Sequence, residues 1–170
     1  MPAKLSILVF VASPLDYARY RHAALYLDFD NTHTNTETES NSKSNSNSNN
    51  TSTTTENEDD IKSSVMEVVG SPGYFSFHER VNTSLPVAAT GLAKAVFVSS
   101  IPDTVPVSSL RAIISGTPVA DQESDWNSQN WVGDALGRLV TAGYLDAADK
   151  DRGLDDMVDV ILEAKDEEIA

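Results

Sequence analysis

The 170-residue chain carries 12 Lys plus Arg against 26 Asp plus Glu, a formal charge of −14 at neutral pH. That balance argues against nonspecific binding to nucleic acid or anionic lipid, both of which need clustered cationic side chains. Cysteine is absent, which excludes disulfides, thiolate metal sites and a cysteine nucleophile.

At the amino terminus, Lys4 followed by the apolar run Leu5-Ser6-Ile7-Leu8-Val9-Phe10-Val11 loosely imitates a secretory signal. The run is short for that role and Pro14 stands where cleavage would be expected. Residues 5–12 are therefore read as a buried first strand, with a cytoplasmic location as the expectation. No stretch approaches the roughly 18 to 20 apolar residues of a spanning helix, so no transmembrane segment is expected. Residues 22–29 carry Leu25, Tyr26, Leu27 and Phe29 and read as a second strand.

Residues 31–60 contain no aliphatic or aromatic side chain. Such a segment cannot bury enough surface to offset the entropy of ordering it, so it is expected to be a disordered Asn/Ser/Thr-rich insertion. Residues 1–30 and 61–170 would then form one domain. The sequons at Asn49, Asn50 and Asn82 read as chance in an Asn/Thr-rich chain.

Beyond the insertion, residues 65–69 and 74–79 form two short strands around Gly70-Ser71-Pro72-Gly73, which supplies the residues of a tight turn. A hairpin is expected there. Residues 93–99 make a fifth strand, ended by Pro102 and Pro106.

The remainder reads as helical. Leu110, Ile113 and Ile114 lie at helical spacing before Gly116. A longer helix is expected from Asp125 or Trp126 to Gly143, with Asp125 as its N-cap, because Trp131, Val132, Ala135, Leu136, Leu139 and Val140 fall on one side. A last helix starts at about Leu154, with Leu154, Met157, Val158, Ile161 and Leu162 as its apolar stripe. Packing on its own domain is favoured over docking on a partner. About five strands followed by about three helices imply an α+β fold built on an antiparallel sheet.

Candidate chemistry rests on the histidines. His33 falls in the insertion, whereas His22 and His78 lie on strands, where period-two alternation could aim two imidazoles at the same end of one sheet face. Ser128 sits three residues before Trp131 and four before Val132, on the same side of the long helix. In the first turn, free backbone N–H groups and the helix dipole favour developing negative charge, and a nearby imidazole could take the hydroxyl proton. A first-turn serine that merely satisfies free N–H groups is the simpler account of the residue by itself.

Three segments in this order carry a resemblance: Tyr20-Arg21-His22-Ala23-Ala24-Leu25-Tyr26-Leu27, then Tyr74-Phe75-Ser76-Phe77-His78, then Asn127-Ser128-Gln129-Asn130-Trp131-Val132. Together they resemble the circularly permuted papain-like (NlpC-type) thiol hydrolases and acyltransferases, the branch containing lecithin:retinol acyltransferase and the H-Ras-like suppressor phospholipase/acyltransferases. The segment around Ser128 is also similar to small fungal proteins with a Trp-Asn-Cys-x-x-Trp-Val motif.

The resemblance implies a permuted papain-like fold. It makes His22 the general base, His78 the group that orients it and Ser128 the occupant of the nucleophile position. Trp126, Asn127 and Gln129 would then line the substrate site. Ala23 stands where the family commonly has Trp, and Ser128 replaces the family's cysteine. A thiol starts at a pKa of about 8.5 and is readily lowered, whereas an alcohol starts far higher and must lose its proton during attack. The expectation is a catalytically impaired relative, a pseudoenzyme binding an acyl or peptide-like ligand or a protein partner. The alternative is an active Ser-His-His hydrolase or acyltransferase on an ester, amide or thioester.

Other classes find no support. Gly91 and Gly116 are isolated, so no phosphate loop is present. Asp149, Asp151, Asp155, Asp156 and Asp159 lack the glycine and terminal glutamate of an EF-hand, and the histidines lack zinc-ligand spacing. No cofactor and no metal are expected.

Overall fold

A computed structural model describes residues 2–29, 60–120 and 125–166. The expected insertion at 31–60 lies outside the described residues except for Asp60, and so do the sequons at Asn49 and Asn50. The chain order is β1 (Ala3–Phe10), β2 (His22–Asp28), β3 (Ser63–Val69), β4 (Ser76–Val81), β5 (Leu92–Ile101), α1 (Val107–Ser115), α2 (Ser128–Thr141) and α3 (Ala147–Leu162). The strands form one antiparallel sheet in the order β4-β3-β2-β1-β5, so the fold is α+β. No helix among the described residues is long and apolar enough to cross a membrane.

Alternation along the strands divides their side chains between two faces. One face presents Leu5, Ile7, Val9, Ala23, Leu25, Leu27, Met66, Val68, Val96 and Val98, which join Leu110, Ile114, Trp131, Leu136, Leu139, Met157, Val160 and Ile161 of the helices in the main core. The opposite face carries a smaller cluster of Leu8, Ala24, Tyr26 and Val65. Residues 82–91 cross this second face as a strap. They leave β4 beside Val81, opposite Ser64, and reach Leu92, opposite Phe10. The Ser63 hydroxyl donates to the Thr83 carbonyl at 2.8 Å and the Val11 amide to that of Gly91 at 2.8 Å, fastening the strap at both ends.

The β3–β4 hairpin forms as expected, with Val69 opposite Ser76. Gly70 has φ 128°, and a Cβ there would lie 2.3 Å from the Tyr74 carbonyl oxygen, so the turn needs a glycine.

Two helix starts differ from the sequence reading. Asn127, not Asp125, caps α2. Its side chain accepts the Gln129 amide at 2.8 Å while Asn130 Oδ1 accepts the Asn127 amide at 3.0 Å, a reciprocal box. α3 starts at Ala147 rather than near Leu154. Its first two turns carry no apolar stripe because they are held by other means. Gly153 lets the helix approach Val98 so closely that a Cβ would sit 3.0 Å from it. Arg152 donates to the Val98 carbonyl at 2.6 Å, and Asp149 accepts from Ser99 at 2.8 Å. The buried positions of α3 are Gly153, Met157, Val160 and Ile161, while Val158 and Leu162 of the expected stripe face solvent. The other end of α2 follows expectation: Gly143 adopts φ 78°, and the amides of Gly143 and Tyr144 donate to the carbonyls of Val140 and Leu139.

Candidate functional site

Ser128 opens α2 and is 5% exposed. Its hydroxyl oxygen accepts the Ala23 amide at 3.1 Å, so the first turn of α2 is seated against the start of β2. The two elements are further joined by the expected ligand-binding residues. The Gln129 carboxamide donates to the carbonyls of both Ala18 and Arg21 at 2.9 Å, and the Asn127 carboxamide donates to that of Arg19 at 3.3 Å. The sequence reading assigned Gln129 and Asn127 to a substrate. Their amide donors hold the loop that delivers His22, through the carbonyls of Ala18, Arg19 and Arg21.

Arg21 completes this corner. The guanidinium is 5% exposed and forks onto Asp16, with Nε to Oδ1 at 2.8 Å and Nη2 to Oδ2 at 2.5 Å, while Nη1 donates to the Val160 carbonyl in the last turns of α3 at 2.6 Å. The guanidinium's hydrogen bonds hold the Asp16 carboxyl far below the usual carboxylate range, against the opposing effect of burial.

His22 starts β2 on the face opposite the helices. Its Nε2 lies 2.6 Å from Glu67 Oε2, and its ring is 5.8 Å from that of Phe10, centroid to centroid. Arg80 reaches the other oxygen of Glu67 at 3.1 Å. The His22 hydrogen bond is the main cause holding the Glu67 carboxyl below its ordinary range, opposed by burial and assisted by the positive charge of Arg80. Glu67 is therefore an ionised acceptor for the Nε2–H of His22.

His78 does not stand beside His22 as expected. The sheet order inserts β3 between their strands, so Glu67 is the side chain that meets His22. His78 shares the face and pairs across from Glu67, but it is exposed, with its Nε2 3.1 Å from the Ser76 hydroxyl. Among the described residues, the hydrogen bonds of His22 and Ser128 run to Glu67 and Ala23 and not to each other.

His22 and Ser128 nevertheless line one cleft of about 670 Å³, with Tyr20, Pro72, Phe75, Trp126 and Asn127 among the other walls. Trp126 is 5% exposed, and its ring meets Phe75 edge-on at 5.5 Å. Glu67 is the residue that sequence reasoning passed over. A lone carboxylate among the apolar neighbours of Val65-Met66-Glu67-Val68-Val69 was the available signal. Comparison with protein-family models, curated proteins and solved structures finds no match.

Proposed function

We propose that the chain is a permuted papain-like protein, a catalytically impaired relative of thiol hydrolases and acyltransferases that binds an acyl or peptide-like ligand in the cleft walled by His22 and Ser128. The observation that carries this reading is the shared cleft. Ser128 at a helix start and His22, whose imidazole meets a carboxylate, lie more than 100 residues apart in the chain and line the same space. The Ser128 position meets one backbone donor and a helix start: the Ala23 amide donates to the hydroxyl oxygen, and the N-terminus of α2 adds its dipole. A thiolate would be stabilised at such a position. A hydroxyl gains little, because its proton must leave during attack, and its oxygen already spends a lone pair on Ala23.

One observation favours a second reading, an active serine hydrolase. Glu67 fixes the ring of His22 and would support an imidazolium during proton transfer, the part a third member plays beside a serine and its base.

A single set of labelling experiments separates the two. Ser128→Cys is expected to become alkylated by iodoacetamide at neutral pH, and Ser128→Cys combined with His22→Ala is expected to react at least about tenfold more slowly. The unmodified protein is expected to resist a fluorophosphonate. Labelling of Ser128 by that reagent would favour the active hydrolase, whereas thiol reactivity indifferent to His22 would remove the basis for both readings.

A further inference from the structure

His22 also lines a second cavity, of about 620 Å³, that the proposed function leaves unused. Its floor is the strap-covered sheet face, with Phe10, His22, Glu67 and Arg80 contributed by β1, β2, β3 and β4. Its roof is the strap, through Thr83, Ser84, Leu85, Pro86, Val87 and Thr90. The volume falls within the usual range of small-ligand sites.

The lining is divided along the diagonal that the strap follows. Towards β5, Phe10, Leu85, Pro86 and Val87 make an apolar stretch, and Leu85 and Val87 are held there although 46% and 59% exposed. Towards β4 the groups are polar and include a cation. Glu67 is the cavity's only carboxylate among the described residues, and both of its oxygens are already engaged, by His22 and Arg80. Arg80 commits one N–H to that contact and has further N–H groups on its fork, with a side chain 53% exposed. The Ser84 hydroxyl adds another donor. Such a lining has donors to offer at one end and hydrocarbon at the other.

We propose that this cavity binds a small amphiphilic carboxylate, with its carboxylate on the Arg80 guanidinium beside Ser84 and its hydrocarbon chain along Phe10, Leu85 and Val87. A guanidinium takes a carboxylate through two parallel N–H donors, which a neutral alcohol cannot reproduce. The site shares His22 with the Ser128 cleft but does not depend on any catalysis there.

The test uses the full chain and three probes followed by calorimetry and by the ring resonances of His22: octanoate, octanol with the same chain but no charge, and acetate with the charge but no chain. Octanoate is expected to bind at least about tenfold more tightly than either and to shift the His22 ring signals, a discrimination of the size expected for a charge-assisted contact. Arg80→Gln is expected to weaken octanoate by about tenfold while leaving octanol unchanged. Equal binding of octanol and octanoate would overturn the proposal, as would octanoate binding that ignores Arg80→Gln or leaves His22 unperturbed. Should Arg80→Gln disturb the fold, the comparison of the three probes on the unmodified chain decides by itself.

Discussion

The two faces of the sheet use the same five strands for different ends. On the helix side, polar groups are drawn inward to fasten elements: Arg21 to Asp16 and Val160, Gln129 to two loop carbonyls, and Arg111 of α1 bidentate to Glu79 at 2.7 and 3.0 Å. The indole N–H of Trp131 is the one buried side-chain polar atom there, among the described residues, with no partner. On the strap side, His22, Glu67 and Arg80 form a chain of contacts that still reaches solvent. Period-two alternation thus separates fastening from chemistry one residue at a time. Arg21 locks the corner, His22 next to it faces the cavity, and Ala23 turns back into the core.

This contrast can be broken most severely at the corner. Asp16→Ala leaves the Arg21 guanidinium buried without its counter-charge and is expected to cost about 3–5 kcal/mol, read from urea unfolding. Next in size, Leu136→Ala on the fully buried side of α2 is expected to cost about 2–5 kcal/mol, whereas Leu85→Ala in the strap should stay within about 0.5 kcal/mol in the same assay.

A further substitution sharpens the comparison through pH. Glu67→Gln removes charge-assisted hydrogen bonds worth about 1.5–3 kcal/mol near neutrality. The folded-state pKa of Glu67 is depressed, so its contribution is present above the ordinary value of 4.5 and fades as pH falls through the folded one. Stability curves of Glu67→Gln and the unmodified chain should therefore diverge at neutral pH and converge in acid. The Asp16 contribution, with its carboxyl held far lower, should survive to more acidic conditions than that of Glu67.

Much of the architecture was legible in the sequence because burial writes a period into it. The continuous run at 5–12, the pairing of 65–69 with 74–79 around Gly70, and the stripe through Trp131, Leu136 and Leu139 each correspond to an element that forms. The first half of α3 was not legible, since a glycine against Val98 and two polar ties to β5 hold it, and neither leaves an apolar repeat. Strand order was equally silent. Two strand histidines were read as able to share one end of a sheet face, and only the placement of β3 between β2 and β4 brings Glu67 forward. Gln129 looked like a residue for a ligand because side-chain chemistry does not distinguish a carboxamide that grips backbone from one that awaits a guest.

The Arg21 fork also ties together parts of the chain that are remote in sequence. Its reach to Val160 and the hold of Asp16 on the Lys165 and Asp166 region mean that the end of α3 and the approach to β2 share one anchor. Severing the chain after Gly153 would therefore do more than bare a hydrophobic stripe. It would also loosen the Arg21 corner beside His22, so that the backbone path into residue 22 is inherited from a segment some 140 residues downstream.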